Sequence, residues 1–476
     1  MRTLSKLLFV LLTASLSPAQ TDYTKIVVKF ADTLIEHGRD HYGKQPSPVW
    51  MAVLNAKDYS APTDPKQVPP PQGIRAGDRA VGGANLSHDL VTIRVFDALS
   101  LITGDPKYRR AVDDYLRYYL AHAQSPETGL LAWGEHLYYD AFEDRVITER
   151  RWHELLHWTP PWERLWGIDP RATERAIAGI WEWHFFDHEK ALFNRHADYT
   201  GASHPDPAKS QPWIKHSALY TYSFAFAHVK TGDKRYLDWA RAIGSLYWNA
   251  RDPKTNLVEG CIGDPRPTSR LGGMGGQLPY WLYKAGELVP SEAWRQRAIT
   301  LLEAGDKYAY DPASGGYLNA INTDGTRTTL RGGSHPAKVW DFAYGGEGVI
   351  LRIGRSAAYM AAKSKDPKLL TIARRVEKYA HATPRPAEGD IGTLADALNL
   401  SMDLYDQTKE PAYLEHAREY GEEIVKKFWC GRLFRSHTGY DIYEAALGPG
   451  DAIEGLLRLG LAGKKSALPS SFDWSY

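Results

Sequence analysis

The run Ile102-Thr103-Gly104-Asp105-Pro106-Lys107-Tyr108 separates two stretches, 85–101 and 109–122, in which apolar side chains return every three to four positions. That period marks one buried face of a helix. Gly followed by Asp-Pro closes one helix and opens the next, because Gly takes the left-handed cap conformation and Pro fits a first turn. The stretch therefore predicts helix, tight turn, helix.

The unit recurs. Thr231-Gly232-Asp233-Lys234-Arg235-Tyr236 precedes a helical pattern over 237–247, and Gln407-Thr408-Lys409-Glu410-Pro411-Ala412-Tyr413 precedes one over 414–427. Ser364-Lys365-Asp366-Pro367, before 368–380, is a weaker copy. A second turn type follows the second helices: Ser125-Pro126-Glu127-Thr128-Gly129-Leu130, Asp252-Pro253-Lys254-Thr255-Asn256-Leu257 and Asp311-Pro312-Ala313-Ser314-Gly315-Gly316. Each begins a turn at Pro and places Gly or Asn where φ becomes positive. Helix pairs with alternating turn types around a long chain are the signature of an α-hairpin array. Strand patterns are scarce. The expected fold is all-α, an (α/α) toroid or barrel of six or seven helical hairpins, with one helix of each pair lining the inside.

The other segments fit around this array. A helical face runs over 23–38 through Ile26, Val27, Phe30, Ala31, Leu34 and Ile35. The prolines between 60 and 77 exclude a helix and predict an extended surface segment. In a barrel, 133–139, 315–322 and 429–443 occupy equivalent places on one rim, and the Gly-rich 265–277 forms a loop over the same face. That loop is no phosphate cradle: no strand precedes it and no Lys-Ser/Thr follows its glycines.

Arg2 and Lys6 before the apolar 7–12, then Ser17-Pro18-Ala19, read as a secretory signal peptide over 1–19. Residues 20–476 are then expected to be a single catalytic barrel, secreted or periplasmic. Lys plus Arg (58) nearly equals Asp plus Glu (57), and no basic run appears, which sets nucleic-acid binding aside. No later segment approaches a membrane span. Cys261 and Cys430 allow at most one disulfide. The 16 Trp and 28 Tyr supply core area and flat faces of the kind that stack on sugar rings.

Chemistry concentrates between 129 and 199. Trp133-Gly134-Glu135-His136, His153-Glu154-Leu155-Leu156-His157 and Asn194-Arg195-His196-Ala197-Asp198-Tyr199 offer imidazole, carboxylate and imidazole from three segments, with a guanidinium beside the last. Nitrogen and carboxylate donors suit first-row divalent ions such as Mn, Ni, Co or Zn better than Ca. The central quintet also matches the short zinc-protease pattern, but Pro160 and Pro161 end any helix within a turn of His157, and that reading leaves the other two motifs without a role.

These segments, with Gly129-Leu130-Leu131-Ala132 before the first and Trp152 before the second, resemble those of polysaccharide lyase family 2, the pectate lyases with an α-barrel fold. The likeness spans roughly 85–199, including Trp181 and His184 of a tryptophan-rich helix; Glu135 stands where the family usually has a second Gly. The resemblance implies His136, Glu154 and His196 as ligands of a transition metal, and Arg195 as the catalytic group. It implies a lyase acting on a uronate polysaccharide, pectate-type galacturonan first, by β-elimination.

That chemistry needs the C5 proton removed and the C6 carboxylate neutralised. A divalent ion performs the second task. Guanidinium is a poor base, so Tyr199 and His184 stand beside Arg195 as candidates for the first. Trp133, Arg79, Arg94, Asp89, Arg331 and Trp340 are the candidate substrate contacts, the arginines through substrate carboxylates. The rival readings are a glycoside hydrolase using Asp89 and Asp341 as paired carboxylates, and a carbohydrate-binding protein without turnover.

Overall fold

The computed structural model describes residues 21–69, 75–209, 212–263, 268–270, 276–342, 346–465, 468–469 and 472–475. Fourteen α-helices lie among them: α1 (Tyr23–His37), α2 (Leu90–Thr103), α3 (Lys107–His122), α4 (Trp162–Ile168), α5 (Pro170–His184), α6 (Ile214–Thr231), α7 (Lys234–Ala250), α8 (Leu278–Leu288), α9 (Glu292–Ala309), α10 (Ile350–Ser364), α11 (Pro367–Ala382), α12 (Ile391–Thr408), α13 (Pro411–Phe428) and α14 (Pro449–Leu461). Six consecutive pairs, from α2–α3 to α12–α13, are hairpins. The seventh joins α14 to α1, and α14 also packs on α2. The expected (α/α) barrel is the observed fold.

The turns form as the sequence dictates. Gly104 and Gly232 cap α2 and α6 at φ 71° and 74°. In both turns a threonine near the helix end returns its hydroxyl to a backbone carbonyl one turn back, and its oxygen accepts the next aspartate's N–H. Ser364 and Thr408 repeat this, with Lys365 and Lys409 taking the left-handed position. The Asp carboxylate then accepts from the first turn of the following helix, as at Asp233 and Asp366.

Inner and outer helices differ in burial as a ring requires. Helices α6, α12 and α14 are buried on nearly every side, whereas α7 and α13 bury one face. In sequence, α6, α8, α10, α12 and α14 pack on one another and α14 on α2, while α3, α4 and α5 carry the ring through the remaining arc.

Short antiparallel strand pairs tie the rim loops together. Val53–Asn55 pairs with Ile442–Glu444, and Gly83–Ala84 with Tyr139–Asp140, which pairs in turn with Arg145–Val146. Trp152–His153 pairs with Ala197–Asp198. These pairs of two or three residues are too brief to leave a period-2 pattern.

Two expectations change. Among the described residues of 60–77 the chain is not simply extended: Pro65–Gln67 and Ala76–Asp78 are 3-10 turns, the first closed by a capping box from Asp64. The helix expected from 85 begins at Leu90, because the Asn85 side chain accepts from Ser87 N–H and holds Leu86–His88 in a 3-10 turn. Residues 1–20, with the signal-peptide reading, lie outside the described residues, as does most of 265–277. No described helix is long and apolar enough to cross a membrane. Cys261 and Cys430 are not disulfide-bonded.

Arg79, read as a substrate contact, belongs to the frame. Its guanidinium is buried and forks onto Glu444 at 2.8 and 2.5 Å, with Nη1 on the Val68 carbonyl. It joins the strand holding Glu444 to the segment before α2. Removing the carboxylate leaves a buried, unpaired cation, so Glu444→Ala is expected to cost about 3–5 kcal/mol, read as a lowered midpoint in urea unfolding.

Candidate metal centre

The three motif segments are brought together by backbone contacts. The Trp152–His153 strand lies against Ala197–Asp198, which sets Glu154 and His196 side by side. The Glu154 N–H donates to the Trp133 carbonyl at 3.3 Å, which adds the third segment. Gly134, at φ 101°, passes so close that a Cβ there would lie 2.5 Å from the Glu154 carbonyl oxygen. Only glycine permits that approach. The Asn85 amide donates to the Gly134 carbonyl at 2.8 Å and fixes the turn.

The Glu154 carboxylate is wholly buried. His196 Nε2 lies 3.0 Å from one oxygen and His216 Nε2 2.9 Å from the other, with Arg195 Nη1 at 3.7 Å. Burial alone would raise its pKa, but the bonds from His196 and His216 outweigh it and hold the group well below the usual carboxylate range. His136 turns its ring toward His196, centroids 5.3 Å apart. Burial first, then the neighbouring His196, pushes its pKa down to about 4, so its imidazole is neutral at pH 7.

His136, Glu154 and His196 each offer a donor atom, all within 4.8 Å of one another. His136 Nδ1 is buried without a hydrogen-bond partner, 3.7 Å from Asp78. Two neutral-capable imidazoles, one carboxylate and an orphaned ring nitrogen fit a first-row divalent cation. Asp78 and Glu135 also approach His136, but Arg75 bridges both carboxylates and Arg150 holds Asp78.

The remaining predicted residues separate clearly. Arg195 stays at the trio, 27% exposed, lying over the Trp213 ring with its Nε buried and unbonded. Tyr199 is buried against the turn at Thr128, and burial together with the Glu127 charge raises its pKa, the opposite of what a base needs. His184 is also unsuited: its Nε2 meets His153 at 2.7 Å and its Nδ1 meets the Asn194 carbonyl and the Tyr220 hydroxyl. His153 is thus turned away from Glu154, and the protease quintet is a strand end and loop, not a helix.

Trp133 is buried beside the trio. Arg94 is committed to Glu454 and the Ser475 carbonyl. Trp340 donates its indole N–H to the Thr383 carbonyl. Arg331 sits in the turn Leu330–Gly332, its side chain outside the described residues. Asp341 accepts from the N–H groups of Phe342 and Glu347 and shapes its own loop. Asp89 is buried and accepts from the Tyr115 hydroxyl at 2.9 Å. Both carboxylates of the hydrolase reading are thus in structural use.

Sequence reading missed His216 and Lys215, and it quoted Trp152 within a motif without giving it a role. His216 and Lys215 open α6 outside the quoted motifs, where nothing in their spacing distinguishes them from helix residues. Burial pushes the Lys215 ammonium down, against the charges of Glu154 and Glu135. Trp152 is 39% exposed, unusual for so large a ring, and lies stacked with His196.

Comparison with known proteins bears on the fold and on the segment that carries the trio. Two solved structures share the barrel: cellobiose 2-epimerase from Bacillus thermoamylovorans B4167, with TM-score 0.50 at 10% identity over 92% of this chain and 99% of that one, and the Lin0763 protein from Listeria innocua, also 0.50 at 10% over 94% and 99%. They define an (α/α)-barrel protein and nothing finer. Residues 74–261, which contain every residue of the trio as well as Arg195, Lys215 and His216, match the family model described as periplasmic pectate lyase. The chain is also 27% identical over 190 residues to a pectate disaccharide-lyase of Dickeya dadantii (strain 3937), an alignment that covers 35% of this chain and 34% of that protein. The family resemblance read from the motifs is borne out over this segment.

Asp89 provides a test of the burial. Its pKa is raised to about 8 by burial, only partly offset by the Tyr115 bond. A raised folded pKa stabilises at low pH, and that stability is lost as pH rises from the unfolded value near 3.8 through about 8. Asp89→Asn does not titrate, so it is expected to gain on the wild type as pH rises from 4 to 8. Thermal midpoints across that range read the difference.

Proposed function

We propose that this protein is a cation-dependent polysaccharide lyase that cleaves a uronate-containing polysaccharide, with pectate as the first substrate, by β-elimination, and that it works outside the cytoplasm. The observation that carries this reading is the convergence of His136, Glu154 and His196 beside Arg195, within the segment that matches the pectate lyase family. The pectate disaccharide-lyase relative supports the same substrate class.

In the reaction, the C5–H bond breaks and its proton leaves to a base. The electron pair forms the C4=C5 double bond, and the C4–O bond breaks with its electrons on the departing sugar oxygen, which then takes a proton. His136, Glu154 and His196 would hold the cation, with Mn, Ni, Co or Zn the fitting ions. Bound there, it supplies a Lewis acid that neutralises the C6 carboxylate and lowers the cost of the carbanion-like charge. His216 holds Glu154 ionised and oriented through its other oxygen. Arg195 would meet a substrate carboxylate or the C5 proton beside the trio, and Trp152 offers an exposed ring face beside His196.

Incubation with polygalacturonate, with and without chelator, tests the reading. The expected result is growth of the ultraviolet band of a 4,5-unsaturated uronide, abolished by chelation and restored by a first-row divalent ion. New reducing ends without that band would establish hydrolysis instead, and binding without either would establish a non-catalytic module. Arg195→Lys, which keeps the charge but not the planar fork, is expected to lower kcat by about 10²-fold or more. His136→Ala is expected to lose bound metal by elemental analysis of the purified protein.

A further inference from the structure

The outer wall of the barrel carries two guanidiniums on one indole. Trp248 lies in the last turn of α7, and the Arg251 guanidinium, just beyond that helix, stands 3.8 Å from its ring centroid. Arg297, on the outer helix α9, brings a second guanidinium to 5.3 Å from the same centroid. The ring attracts each cation, but it does not cancel the repulsion between them.

No carboxylate answers this pair. Arg251 donates Nε to the Asn256 side chain and Nη1 to the Trp248 carbonyl, and Arg297 donates Nη1 to the Ser245 hydroxyl at 3.4 Å. All three acceptors are neutral, and neither arginine has an ion-pair partner among the described residues. Asp252, next to Arg251 in sequence, turns its carboxylate to the N–H groups of Lys254 and Thr255. Burial and then the Arg251 charge lower the Arg297 pKa, with no carboxylate opposing them. Arg251 Nη2 and Arg297 Nε and Nη2 are thus without partners, and none of these atoms is buried. Lys254 adds an exposed ammonium to the turn after α7.

A guanidinium edge matches a carboxylate through two parallel N–H···O bonds, and a cluster of one sign gathers ions of the other. A lipid surface would also need apolar side chains to enter it. The large exposed apolar side chains among the described residues are Leu101, Trp152, Val229 and Leu330, none of them on α7 or α9. We propose that Arg251 and Arg297, organised by Trp248, form a secondary site on the outer wall that binds the carboxylates of an acidic polysaccharide and tethers the polymer without taking part in its cleavage. The proposal rests on the lyase reading for the identity of the polymer; the uncompensated cation pair does not depend on it.

The test uses the Arg251→Gln, Arg297→Gln double variant of the full-length protein. Retardation in gels containing polygalacturonate, with chelator present, reads binding without turnover. The double variant is expected to lose affinity about fivefold, a difference that added salt shrinks. In the active protein, KM on the polymer is expected to rise to match, while kcat/KM on a galacturonate trimer stays within twofold. Polymer affinity within twofold of the wild type in the folded double variant overturns the site, as does a wild type that the polygalacturonate gel does not retard. Lost binding to phosphatidylglycerol vesicles with polygalacturonate binding unmoved assigns the pair to a lipid headgroup and overturns it too. If the double variant does not fold, Arg297→Glu, a charge reversal at a half-buried position, is read in the same way. A wild type that binds the polymer through this pair but does not cleave it defeats the lyase reading and leaves the site standing.

Discussion

Everything at the proposed centre depends on keeping one fully buried carboxylate ionised. Glu154 is buried completely, and an isolated charge in that position would cost several kcal/mol. The protein offsets this with two imidazoles and a nearby guanidinium drawn from two parts of the chain. His196 and Arg195 come from the loop after α5, and His216 from the first turn of α6. The carboxylate is therefore a junction. The strand pair at 152–153 and 197–198, the tight glycine at 134 and the start of α6 must all be in place before its charge is tolerable.

This dependence explains why the chemistry lies on short strands and loops while the helices carry little of it. The hairpins supply rigidity and a fixed rim; the brief ladders set the rim segments in register. His184 illustrates the coupling. It binds the carbonyl before Arg195 and the ring before Glu154 at once, so two segments distant in sequence are locked by one buried imidazole. Its place in the motif region reflects this bracing role and not proton transfer.

Much of the fold was legible in the sequence, because helical periodicity and the Thr/Ser-Gly/Lys-Asp/Glu turns are local signals. The trio was legible too, through motifs of four to eight residues. The remainder was not. Arg79 and Arg94 look like free cations in sequence, yet their partners Glu444 and Glu454 lie more than three hundred positions away. Asp89 looks like a catalytic acid until Tyr115 is seen to cover it. His216 gives no sign, since a buried histidine on a helix has no spacing of its own. In each case the deciding fact was a long-range contact, which a single sequence does not encode locally.

The contact of α14 with α1 and α2 makes the barrel a ring sealed by its earliest and latest helices. The segments that carry Glu154 and its partners assemble from neighbours within about eighty residues. The seam, by contrast, is a contact of very high sequence separation, which slows its formation. Forming the centre therefore asks for the closure of short loops only, whereas sealing the circle asks the chain to bring together segments about four hundred positions apart.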